Sequence, residues 1–133
     1  MEETLAPPRA LAAASIAEAL RLTAADHPDR IAVRTKDDEI AWTWRELCER
    51  VDALAGGLAR LGVRRGDTVA LMLSNRPEFH VADLAATTLG ATPFSIYLTA
   101  APEQVAYVLR DAAPRVGSSR SASRRCSPAT SST

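Results

Sequence analysis

Lysine is almost missing from this chain. Lys36 stands alone beside fifteen arginines. With abundant alanine, that skew fits a GC-rich coding sequence. Cysteine is scarce as well. Cys48 falls in an expected helix and Cys126 near the end of the chain, a pattern of neither a disulfide framework nor a zinc site. Cys48 reads as a packing residue. The opening "MEETLAPPRALAAA" has no basic stretch ahead of an apolar run, so no secretory signal is expected. No apolar stretch approaches the length of a membrane span. A cytoplasmic location is the expectation. Acidic residues stop at Asp111. Residues 1–116 hold thirteen bases against sixteen acids, a net of three negative, whereas 117–133 hold Arg120, Arg124 and Arg125 and no acid. An acidic body argues against a nucleic-acid grip by the domain itself, and no nucleic-acid partner is expected.

The chain has 133 residues, 47% of them apolar and 24% charged, and fits one domain of modest size. Residues 1–13 read as a flexible arm, with Pro7 and Pro8 blocking early helix. "SIAEALRLTAADHP" reads as a helix with Ser15 as cap, Glu18 three residues on, Ile16, Ala19, Leu20, Leu22 and Ala24 as apolar stripe, and Pro28 as its stop. "RIAVRTKDDEIAWT" alternates like a hairpin around the polar turn "KDDE". "TWRELCERVDALAGGLARLG" is the clearest helix. Thr43 and Glu46 form a second capping box, and Leu47, Val51, Leu54, Leu58 and Leu61 line one face. Gly62 suits the left-handed position past its end. Gly56-Gly57 weaken its middle, so close packing of another backbone is expected there. They sit inside a helix and are not a phosphate loop.

From residue 67 the pattern changes. Val69 to Leu73 is a continuous apolar run, the habit of a strand buried on both faces. Pro77 opens a helix whose core face is Phe79, Ala82, Ala85, Ala86 and Leu89, widened by Val81 and Leu84. "ATPFSIY" is a second strand. Pro102 opens a further helix with Val105, Val108, Leu109 and Ala112 as its stripe. Strand, helix, strand, helix predicts a parallel sheet with helical crossovers, and another strand starting near Arg115. The fold class is therefore α/β: helix, β-hairpin, long helix, then a βαβα piece of a parallel sheet.

Residues 15–116 resemble the N-terminal part of AMP-forming acyl-CoA synthetases, in the adenylate-forming (AMP-binding) enzyme family. "TWREL" at 43–47 is similar to that family's first core motif, and "GVRRGDTVALMLSNRPEFHVADLAATTLGATPF" to the strand, helix and second motif that follow. "IYLTAAPEQVAYVLRDAAPRV" resembles the long-chain fatty-acid–CoA ligase branch. The resemblance implies a two-step reaction. A carboxylate attacks the α-phosphate of ATP, pyrophosphate leaves, and the thiolate of coenzyme A then displaces AMP. It implies ATP, Mg²⁺ and coenzyme A as cofactors, a fatty acid as substrate, and peripheral membrane contact for an intact enzyme. The family places its phosphate contacts in a Ser/Thr/Gly-rich loop ending in Pro-Lys-Gly, and a catalytic lysine in a small C-terminal domain. Neither is found here, since Lys36 lies in the hairpin turn. No catalytic, cofactor-binding or metal residue is therefore assigned, and no cofactor is expected on this fragment. An inactive, truncated ligase is the first expectation. A small non-catalytic α/β interaction module or complementing subunit is the alternative.

Other residues carry two readings each. Asn75 and Arg76 precede a helix N-terminus and suggest a phosphate contact. No glycine permits close approach and Pro77 removes a donor, so turn chemistry is favoured. His27 reads as a helix-end residue and His80 as a surface one, with only Asp83 near metal spacing. Trp42, Trp44, Phe79 and Tyr97 read as packing residues before a cofactor platform, and Tyr107 lies off its helix's stripe. Residues 117–133 have three readings: a basic arm, a phosphorylatable segment, or out-of-frame translation. Composition favours the last, with a boundary at 116/117 and 14–116 as the folded part.

Overall fold

The computed structural model describes residues 5–119. Helix α1 spans Ile16–Asp26, and Ser15 Oγ accepts the Glu18 N–H at 3.1 Å. The Glu18 carboxylate reaches back to the Ala14 N–H at 2.7 Å, one residue beyond the cap. Strands β1 (Ile31–Arg34) and β2 (Ala41–Thr43) pair antiparallel as the expected hairpin. Helix α2, Trp44–Arg60, opens on a complete capping box. Thr43 Oγ1 accepts the Glu46 N–H at 3.2 Å, and Glu46 Oε2 accepts the Thr43 N–H at 2.8 Å. Two orphan donors of the first turn are thereby satisfied.

The second sheet is parallel. Strand β3 (Thr68–Met72) lies between β4 (Thr92–Ser95) and β5 (Val116–Ser119). Helix α3, Pro77–Thr88, joins β3 to β4, and α4, Pro102–Ala112, joins β4 to β5. The strand expected near Arg115 is present. The chain steps from β3 one way to β4 and then back past β3 to β5. Right-handed crossovers taken in opposite directions place α3 and α4 on opposite faces of the sheet. Side-chain alternation agrees. Val69, Leu71 and Val116 join Leu47, Val51, Leu58, Ala82, Ala85 and Ala86 in the main core. Ala70 and Ile96 are buried but stand outside that cluster, on the other face. There Thr68 Oγ1 donates to the Ala112 carbonyl at 2.8 Å and ties the end of α4 to the sheet.

Five expectations need correction. The apolar stripe of α2 is rotated: Ala55 is buried beside Leu47, Val51 and Leu58, whereas Leu54 is 37% exposed. Small residues on α2 and α3 let the two helices approach closely, so alanine takes the inner position. Ile16 is exposed on α1. Among the described residues nothing stands within 4 Å of where a Cβ would lie on Gly56 or Gly57, so no described backbone packs against them there. Within the expected arm, Arg9–Ala12 form a 3₁₀ turn, and Arg9 pairs with Asp26 at the far end of α1. Finally, β5 runs on to Ser119, three residues past the expected boundary. Ladder bonds are made by backbone, so Gly117, Ser118 and Ser119 pair with Ala70, Leu71 and Met72 despite having little apolar surface. The rest of the expected tail lies outside the described residues. Gly62 is as expected: its φ is +95°, and a Cβ there would meet Arg115 Nη2 at 2.9 Å.

Candidate functional site

Parallel strands send all their carboxyl ends to one edge of the sheet. Where neighbouring strands feed helices on opposite faces, a crevice opens between their ends. Strands β3 and β4 are such a pair. The residues that follow them are Leu73 to Arg76 and Ile96 to Ala101. Beside the end of β4 lies a groove of about 620 Å³ lined by Ile96, Tyr97, Ala100, Glu103, Tyr107 and Val108, among others. Its floor is Ile96, 7% exposed. Tyr97 is 84% exposed and Tyr107 67% exposed. Glu103 and Tyr107 are four residues apart on α4 and so share a helix face. Gln104 faces inward to the helix start, its Oε1 accepting the Ala101 N–H at 3.1 Å. Among the described residues Glu103 has no ion-pair partner.

Tyr97 is thus not a packing residue, which corrects the expectation from sequence. Trp42, Trp44 and Phe79 do pack, half-buried against the core. The Trp42 ring also carries the Arg50 guanidinium at 4.3 Å from its centre, which ties β2 to α2. Sequence reasoning missed the groove because it took each tyrosine separately. The available signal was Tyr97 two residues past a strand with Glu103 and Tyr107 in the next helix.

The other singled-out residues do not converge. Asn75 and Arg76 are exposed, and Arg76 caps α3 through no side-chain bond. His80 is exposed, edge-on to Phe79 at 6.0 Å between ring centres. Lys36 is exposed in the hairpin turn. Burial pushes the Cys48 thiol up, the Asp52 carboxylate adds to this, and Arg21 opposes it. A thiol so held is a poor nucleophile, consistent with packing. No buried polar or charged residue occurs among those described, and no three of His, Cys, Asp and Glu gather as metal ligands there. A triphosphate with Mg²⁺ needs converging cations, backbone donors free of side chains, and carboxylates for the metal. The described residues supply none of these together, so they do not fit a nucleotide site. No helix among them is long and apolar enough to cross a membrane.

The described residues thus form a parallel α/β unit that carries the motifs noted above. The model of the AMP-binding enzyme family matches residues 20–128, past the Val116 at which the resemblance was expected to stop. The chain belongs to that family. An uncharacterized Mycobacterium tuberculosis protein is 46% identical over 102 residues, 77% of this chain and 58% of that protein. A 2-succinylbenzoate–CoA ligase of Salmonella typhimurium is 48% identical over 60 residues, 45% of this chain and 13% of the ligase. A long-chain-fatty-acid–CoA ligase of Mycobacterium bovis is 36% identical over 89 residues, 65% of this chain and 15% of the ligase. Among solved structures, the N-terminal subdomain of Klebsiella oxytoca NpsA superposes with a TM-score of 0.74 at 26% identity, covering 86% of this chain and 30% of that one. A Mycobacterium tuberculosis fatty acyl CoA synthetase gives 0.74 at 28% identity, covering 77% and 20%. The chain therefore spans little more than half of the first relative and a small share of the ligases.

Proposed function

We propose that this chain is a scaffold piece of an acid-activating ligase for long-chain fatty acids, and that alone it forms no acyl-adenylate. One observation carries the reading: the βαβαβ unit has the family's motifs in order, yet no described residue fits a triphosphate. Formation of an acyl-adenylate joins an anion to a polyanion, and without groups to neutralise that charge the barrier stays high. The fatty-acid branch is supported by the Tyr97 to Val116 pattern and by the Mycobacterium bovis and Mycobacterium tuberculosis relatives. Transfer to coenzyme A and a cytoplasmic place of action belong to the same proposal. ATP–pyrophosphate exchange on the purified chain with palmitate tests it, and background turnover is expected. Turnover with any acid would overturn the scaffold reading. Reading the DNA past codon 116 in the other two frames tests the ligase reading against the module reading: a Ser/Thr/Gly-rich loop ending in Pro-Lys-Gly is expected, and early stops in both frames would favour the module.

The complementing-subunit reading has its own observation. Beside β5, whose outer edge pairs with no strand among the described residues, lies a second apolar groove of about 400 Å³ lined by Leu54, Gly57, Leu61, Val69 and Val116, among others. Such an edge with an open apolar face is suited to further polypeptide. Cooperative unfolding as a soluble monomer would favour a self-sufficient module, and dye binding with aggregation a dependent piece.

A further inference from the structure

We infer that the groove between the end of β4 and α4 is a docking site for the chain's own arginine-bearing segment, residues 120–133. The placement comes from the sheet register. Met72 pairs with Ser119, and Leu71 pairs with Ser95, so Ser119 and Ile96 stand on either side of Met72 in one row. Two strand spacings separate them, about 10 Å. The chain therefore leaves β5 at the same edge of the sheet as the groove, in the same row as its floor and two strands away. From Ser119 an extended chain reaches Arg124 within about 17 Å, enough to cross that distance.

Chemistry supplies the complement. Fourteen residues follow Ser119, with Arg120, Arg124 and Arg125 and no acid among them. The groove offers two exposed tyrosine rings and the Glu103 carboxylate, which has no cationic partner among the described residues. A guanidinium stacks on an aromatic face and pairs with a carboxylate at once. Each such contact is weak when exposed to water. Tethering two strands away raises the local concentration of the arginines, so weak contacts suffice. The segment needs no fold of its own for this, and its origin does not matter to it.

Cys126 makes the test direct. A nitroxide on Cys126 in a Cys48→Ser chain should broaden the amides of residues 96–108 at least two-fold more than those of Leu11 or Asp37. Replacing Arg120, Arg124 and Arg125 with Ser should abolish the difference. Uniform broadening would overturn the proposal. So would broadening that appears only between labelled and unlabelled copies, because the occupant is then a second chain. Should the Cys48→Ser chain give a collapsed spectrum, trypsin decides on the unaltered cysteine background. Cleavage after Arg124 and Arg125 should be about three-fold faster in a Glu103→Gln, Tyr107→Ser chain than in the parent. Equal rates would overturn the proposal.

Discussion

The two faces of the parallel sheet are finished to different degrees. On one face α2 and α3 cover β3, and Val69, Leu71, Val51, Ala85 and Ala86 are sealed from water. On the other face α4 buries no residue fully, although Val105, Val108, Leu109 and Ala112 form an apolar stripe. One hydrogen bond from Thr68 anchors its end. The covered face holds the molecule together. The α4 face and the outer edge of β5, which pairs with no further strand among the described residues, are the parts left least covered. A scaffold piece should look like this, stable on its inner side and incomplete on its outer one.

That contrast can be broken most sharply by cutting into the covered face. Leu71→Ala should cost about 2–5 kcal/mol in urea unfolding, whereas Leu109→Ala on α4 should cost about 1 kcal/mol or less. Equal losses would show that both faces are packed alike. Next in size, Thr43→Ala removes the acceptor that satisfies the Glu46 N–H and should cost about 1 kcal/mol, read as lower denaturant midpoint. Ala113 ends α4 in the left-handed region, φ 43°, where a Cβ is strained. Ala113→Gly should therefore stabilise the loose face, by about 0.5 kcal/mol, after the extra freedom of glycine in the unfolded chain is offset.

The smallest effect concerns the 3₁₀ turn. The Arg9 guanidinium holds the Asp26 carboxyl below its ordinary range. Because the folded value is depressed, the stabilising contribution is present above the unfolded value near 3.8 and is lost as pH falls through the folded one. Amide protection at Leu11 and Ala13, which bond within the turn, should drop on acidification below about pH 4. Arg9→Gln should remove that pH dependence while leaving α2 unaffected.

Much of the fold was legible because local signals and the global pattern agree. Thr43 with Glu46, Pro77 and Pro102 at helix starts, and Gly62 past a helix end are each read by their own few neighbours. The apolar run at β3 needed only its length. What escaped depends on distant partners. Leu54 and Ala55 are one helical step apart, and only the closeness of α3 decides which turns inward. Gly117 to Ser119 enter a strand through backbone pairing that composition does not report. Arg9 and Asp26 meet across seventeen residues. At the site level, the exposed turn of Asn75 and Arg76 was legible from Pro77, which opens the helix after it. The tyrosine groove was not, because β4 and α4 assemble it only when the crossover folds back.

Hydrogen exchange on the intact chain, with and without ATP, Mg²⁺ and palmitate, tests the account most directly. Amides of α2, β3 and α3 should exchange slowly, those of α4 much faster, and no amide from Ser74 to Phe79 should gain protection when the ligands are added. Uniform protection of both faces, or ligand-dependent protection at Ser74 to Phe79, would contradict a half-covered scaffold without a nucleotide site.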